Sequence, residues 1–139
     1  MKWAWFALGS AFFAALTALL GKFGVAGIPS NLATLIRTAV IVLLIIVLVS
    51  VRQEWQKPST FPLSSYIFLS ASGITTGLSW LCYYRALQLG PITKVAPIDK
   101  LSVALAIILG ALFLGEKLTM PILLGGLLII CGSVVILIF

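Results

Sequence analysis

Five long apolar runs alternate with short polar connections along the chain. These runs cover about residues 3–20, 32–51, 64–84, 97–114 and 121–139. A transmembrane helix needs roughly 20 residues to cross about 30 Å of hydrocarbon, and each run approaches that length. The pattern therefore predicts five transmembrane helices, all within a single domain that covers residues 1–139.

Helix-breaking and polar residues separate these runs. The glycine-rich stretch GKFGVAGIPS follows the first run, and Ser30 and Asn31 are favourable caps for the second helix. The longest connection, RQEWQKPSTFPL, is too polar to cross a membrane. The first run also has features of a cleavable signal peptide. Four more apolar runs follow it, so a membrane span is the favoured interpretation.

The composition agrees with this pattern. Of the 139 residues, 62% are hydrophobic and 9% are charged. So few polar side chains cannot coat a soluble globule of this size. We therefore expect an all-α integral membrane protein that crosses the inner cell membrane several times. Its expected surroundings are the lipid bilayer.

The positive charges divide almost evenly between the two sides of the membrane. With five spans, one side receives four cations and the other receives five: Lys2, Arg52, Lys57 and Lys117 against Lys22, Arg37, Arg85, Lys94 and Lys100. Orientation normally follows an excess of Lys and Arg in cytoplasmic loops. One hypothesis is that the protein inserts in both orientations and pairs with an inverted copy of itself. The alternative is a fixed orientation, set by one dominant loop or by a partner.

No motif for catalysis, metal binding or cofactor binding is present. The chain has no histidine, no Gly-x-Ser-x-Gly and no phosphate-binding glycine loop. Cys82 and Cys131 lie in apolar runs without metal-ligand spacing. The cations are scattered, whereas a phosphate footprint needs a cluster. We expect neither an enzyme nor a nucleic-acid partner, and no metal or cofactor.

Arg37 lies about six residues into the second apolar run. A charge within a span costs about 3 kcal/mol or more on insertion scales, and it usually faces a cavity or a partner group. Arg37 is therefore a candidate for the substrate path. The alternative is that its long side chain snorkels to the nearby interface.

The third run contains an aromatic group and a pair of glycines. Trp80, Tyr83 and Tyr84 have the spacing i, i+3, i+4 and therefore share one helix face. They form either the aromatic belt at the membrane interface or part of a substrate path. Gly73 and Gly77 lie four residues apart, and this spacing predicts close packing against another helix.

Asp99 and Lys100 lie at the head of the fourth run. A helix from residue 101 to 114 is only about 21 Å long, whereas a start at Pro97 gives about 27 Å. This start places Pro97 at the first helical position and Asp99 near the positive helix end. The functional alternative is that Asp99 binds a cation or a proton, or orients Lys100 toward an anionic group.

Four stretches of the chain resemble one EamA-type repeat of the drug/metabolite transporter superfamily: LIRTAVIVLL, GLSWLCYYRALQLGP, VALAIILGALFLGEKLT and GGLLIICGSVVIL. The resemblance covers nearly the whole chain, and the LGEKLT turn is its most specific part. It implies that Arg37 matches an arginine common early in the second helix, and that Gly115 and Glu116 match a Gly-Glu turn. Relatives often have a proline near Val103, so any helix break is shifted outward here.

The resemblance also implies an assembly. Such transporters usually carry two five-helix repeats in inverted orientation around a central path, and this chain is similar to one repeat. We therefore expect half of an inverted-repeat transporter, completed by an antiparallel second copy or by a homologous half-transporter. The chain is similar in size to small multidrug resistance proteins, but its first helix lacks their membrane-buried glutamate.

The expected function is movement of a small metabolite or drug-like solute by alternating access. Two alternatives remain open. One is a flippase for a lipid carrier, as related four-helix members of the superfamily are thought to be. The other is a non-transporting membrane subunit of a larger complex.

Overall fold

The chain is helical over most of its length. The computed structural model describes residues 2–139, apart from the side chain of Pro58. The helices are α1 (Lys2–Gly24), α2 (Ser30–Val51), α3 (Leu63–Leu89), α4 (Ile92–Asp99), α5 (Leu101–Leu114) and α6 (Met120–Ile138), with a short 3-10 turn at Pro58–Thr60. No strand occurs in this described part, and the predicted all-α class is confirmed.

Four helical segments are long and apolar enough to cross a membrane. They are Lys2–Gly24, Ser30–Val51, Ile92–Leu114 and Met120–Ile138. The third long helix, α3, has 27 residues and is about 40 Å long at 1.5 Å per residue. Its serines, threonines and glycines keep its hydropathy below that of the other four. Its length suits a membrane span, and its crossing remains a prediction.

Two helices extend beyond their predicted ends, and one predicted cap is wrong. Helix α1 continues past residue 20 to Gly24, and the chain turns only after it, where Gly27 has φ +82°. Helix α3 continues past residue 84 to Leu89, where Pro91 prevents further extension. Helix α2 is preceded by Pro29, and Ser30 is its first residue rather than its cap.

The predicted start of the fourth span at Pro97 is also wrong. A helix begins at Ile92, directly after Pro91, and Pro97 lies inside it. Proline cannot donate to the preceding turn and clashes with it, so a helix bends or ends near an internal proline. Helix α4 ends at Asp99, and α5 begins at Leu101. Asp99 therefore lies at the carboxyl end of α4, not in the first turn of the fourth span.

The helices form two compact units. One is Leu20–Gln88, which contains the end of α1, all of α2 and almost all of α3. The other combines the earlier part of α1 with Leu89–Phe139. In this second unit α6 packs against α4 and α5. The buried Gly126 of α6 lies at this contact, opposite Ile107 of α5.

Candidate functional site

Arg37 lies on α2 and contacts two aromatic side chains of α3. Its guanidinium carbon is 4.0 Å from the centroid of the Trp80 ring system and 5.5 Å from that of Tyr84. Both separations lie within the range of about 6 Å over which a cation is attracted to an aromatic face. This geometry favours a residue that faces a neighbouring helix over one that only snorkels to the interface.

Tyr84 is buried, with only 5% of it exposed. Gly21 of α1 makes this possible, because a Cβ there would lie 3.3 Å from the Tyr84 hydroxyl oxygen and 3.5 Å from Cζ. The Tyr83 ring lies beside Tyr84, with centroids 6.4 Å apart and an interplanar angle of 62°. The structure thus brings Arg37, Trp80 and Tyr84 together, with Tyr83 at the edge of the group.

Gln88 ties the end of α3 to the connection between α1 and α2. Its side-chain nitrogen donates to the carbonyl oxygens of Val25 at 3.2 Å and Ile28 at 2.7 Å. Its side-chain oxygen accepts from Arg85 at 3.1 Å. One amide therefore satisfies two backbone acceptors that follow the end of α1, where helical partners are missing.

Lys22 provides a second tie at the same end of the unit. Its ammonium group donates to the carbonyl oxygen of Leu87, within the last turn of α3, where a cation also complements the helix dipole. Beside these ties is a cleft of about 280 Å³, lined by Lys22, Val25, Ala26, Gly27, Leu87 and Gln88. The cleft and the Arg37 group both belong to the Leu20–Gln88 unit.

Replacing Gly21 by alanine is expected to disturb the aromatic group. The added methyl would meet the Tyr84 hydroxyl at 3.3 Å, so Tyr84 must shift by a few tenths of an ångström. We expect a loss of about 1 kcal/mol of stability, as is usual for overpacking, measured as a lower thermal midpoint in detergent. Gly24→Ala is the matched control, because nothing lies within 4 Å of a Cβ there. Equal midpoints for the two variants would contradict the packing.

Asp99 and Lys100 lie at the break between α4 and α5. The Lys100 ammonium nitrogen is 3.3 Å from a carboxylate oxygen of Asp99, and the side chains are 54% and 35% exposed, respectively. At the same break, Ser133 of α6 donates to the carbonyl oxygen of Pro97 at 3.0 Å. The break is thus supported by a hydroxyl from a neighbouring helix, as interrupted membrane helices require.

The remaining predicted residues have different surroundings. Nothing in the described chain lies within 4 Å of a Cβ built on Gly73 or on Gly77. Their predicted packing role therefore has no counterpart within one chain and remains a prediction for contact with another. Gly115 closes α5 in the left-handed conformation, with φ +69°. A Cβ on Gly110 would lie 3.2 Å from a carboxylate oxygen of Glu116, so the glutamate folds back over α5.

Sequence reasoning did not single out Gly21, Gln88 or Ser133. Two of them carry a weak signal: Gln88 is an amide near the end of an apolar helix, and Ser133 is a hydroxyl within an apolar run. Polar groups in such places need partners, since lipid offers none. The partners themselves come from distant parts of the chain, so spacing alone does not identify them.

The chain belongs to the EamA-like transporter family, whose sequence model matches residues 1–138. A protein of Sinorhizobium sp., named as an uncharacterized transporter in the cobO 3' region, is 50% identical over 138 residues. The match spans 99% of this chain and 98% of that relative. No solved structure matches. The expected family is therefore confirmed, and the chain is a multi-pass membrane transporter.

Proposed function

We propose that this chain is one half of a carrier that moves a small metabolite or drug-like solute across the inner membrane by alternating access. The other half is a second copy in antiparallel orientation. The observation that carries the proposal is the local irregularity of the span Ile92–Leu114 at Lys100, three residues after Pro97 and beside the Asp99–Lys100 pair.

A span with an internal proline and a charge pair at the resulting irregularity suits a carrier. Secondary transporters commonly bind their substrates where helices are discontinuous, because freed backbone groups and helix ends can contact the substrate. Helix α4 has 8 residues and α5 has 14, so the break lies roughly 12 Å from the start of the span. Charges at such a depth are costly and usually functional.

Two features support pairing with a second chain. The match with this chain covers 98% of the Sinorhizobium relative. That relative therefore has the length of a single repeat. In addition, only six hydrophobic residues of the described chain are buried: Ala18, Val25, Ala33, Tyr84, Leu87 and Ala104. An inverted second copy would cover part of the exposed apolar surface and supply the other wall of a substrate path.

The near balance of the cations supports the antiparallel arrangement, and sidedness tests it. Lys57 lies in the connection between α2 and α3 and is exposed. We expect Lys57→Cys, placed in a Cys82→Ser/Cys131→Ser background, to react to about half completion with a membrane-impermeant maleimide on intact cells. Labelling after permeabilisation supplies the full signal.

A second cysteine at the opposite end makes the sidedness experiment decisive. Ala26, exposed in the connection between α1 and α2, is the position for it, and Ala26→Cys is also expected to label to about half. If one site labels fully and the other not at all, the orientation is fixed and the antiparallel homodimer is wrong. A homologous half-transporter of opposite orientation would then be the partner to seek.

A further inference from the structure

Three side chains that carry hydrogen-bond donors contact one another between α2 and α3. The donors are the guanidinium of Arg37, the indole N–H of Trp80 and the hydroxyl of Tyr84. None of these side chains donates to another residue within the described chain. The guanidinium uses its face against the aromatic rings, and its N–H edge remains available for hydrogen bonding. No buried side-chain nitrogen or oxygen of the described chain lacks a partner, so these donors reach its surface and are open to an acceptor from outside.

No carboxylate of the same unit balances the charge of Arg37. Its one acidic residue, Glu54, lies just beyond the far end of α2, and the helix from Arg37 to that end is about 21 Å long. Glu54 is also 4.0 Å from Arg52 and is paired there. The Arg37 group therefore combines a positive charge with several donors and lacks an anion.

We propose that Arg37, Trp80 and Tyr84 bind an oxyanionic group, a carboxylate or a phosphate, of the transported molecule. The proposal rests on the transport function above and names its substrate class. The guanidinium fork matches two oxygens of such a group at once, whereas an ammonium offers only a point charge. The faces of the Trp80 and Tyr84 rings already fix the position of the guanidinium. Anion binding therefore costs little side-chain entropy.

Trp80 provides a direct optical readout of binding. The chain has four tryptophans, and Trp3→Phe, Trp5→Phe and Trp55→Phe together leave only Trp80. This variant is purified into nanodiscs of zwitterionic lipid and titrated with acetate, succinate and inorganic phosphate. A second set of nanodiscs contains phosphatidic acid instead. We expect a saturable change in Trp80 emission. An anion bound at the N–H edge of Arg37 partly neutralises the positive charge that lies over the indole ring.

Single substitutions in this background locate the response. Arg37→Gln should weaken binding by about 10- to 100-fold, the usual loss for a charged hydrogen bond. Tyr84→Phe removes one hydroxyl and should weaken it by about 2- to 10-fold. Arg52→Gln is the charge-matched control and should leave the response unchanged. Elution volume and far-UV circular dichroism verify that each variant is folded.

Each outcome of the titration has a defined meaning. A response to the soluble anions supports a solute as the source of the oxyanion, and a response only to phosphatidic acid supports a lipid headgroup, as a flippase requires. A flat signal with every probe, or an equal response after Arg37→Gln, overturns the anion site. Saturable binding without solute movement in proteoliposomes would instead contradict the proposed transport and leave the site intact.

Discussion

Leu87→Ala is expected to destabilise the Leu20–Gln88 unit by about 1–3 kcal/mol. Leu87 is 0% exposed, and its Cδ1 atom would lie 3.6 Å from a Cβ on Gly21. Truncation leaves a cavity between α1 and α3. In a membrane protein the loss comes mainly from packing, because lipid tails solvate a leucine about as well as a protein interior does. The measurement is the thermal midpoint of aggregation in detergent.

Leu89→Ala is the matched control for this substitution. Leu89 lies two residues further along the same helix, and 74% of it is exposed. We expect its midpoint to stay close to that of the unchanged protein, because no packed neighbour loses a contact. Similar losses for both variants would show that leucine content, and not the packing of α1 on α3, sets the stability.

The membrane class and most helix positions follow from local sequence properties. Apolar runs of sufficient length predict α1, α2 and α6 within a few residues, because a helix in lipid must satisfy its backbone internally. Helix ends are less predictable. The glycine-rich stretch predicts a break at Gly21, yet α1 continues through it to Gly24. Gly21 instead lies close to Tyr84, where a Cβ would be 3.3 Å from the hydroxyl oxygen.

The fourth span shows the limit of reasoning from length. Length and proline preference favoured a start at Pro97, but the helix starts at Ile92 and breaks at Lys100. The resemblance predicts that any helix break is shifted outward from the position of Val103. In the structure α4 ends at Asp99 and α5 begins at Leu101. The Ser133 hydroxyl of α6 donates to the carbonyl oxygen of Pro97, 36 residues earlier in the chain. No local sequence pattern predicts that bond.

The candidate site was predictable in part. Arg37 and the aromatic group were singled out for charge and spacing, and the structure places Arg37 against Trp80 and Tyr84. The contact itself depends on how α2 and α3 pack, which periodicity within one helix does not specify. That these donors have no acceptor among the described residues depends on tertiary contacts, which no local pattern specifies.

Asp99→Asn is expected to reduce solute flux at least about tenfold without lowering the amount of protein in the membrane. A carboxylate at the end of α4 faces the partial negative charge of the helix dipole. A polar but neutral residue would fit that position better, so we infer that the charge serves transport. Flux of the solute identified by screening is measured in proteoliposomes. Glu54→Gln is the matched control, since Glu54 lies outside the helices and its pair with Arg52 is exposed.

Lys100 distinguishes the possible roles of Asp99. If Asp99 itself binds a cation or a proton, Lys100→Met keeps most of the flux, whereas if Asp99 orients Lys100 toward an anionic group, Lys100→Met loses it. In both cases the double variant Asp99→Asn/Lys100→Met stays inactive, which is the result that we expect. If Asp99 only offsets the neighbouring ammonium 3.3 Å away, removing both charges restores flux that the single Asp99→Asn change had lost. Recovery of flux in the double variant would therefore show that the Asp99–Lys100 pair has only a structural role between α4 and α5.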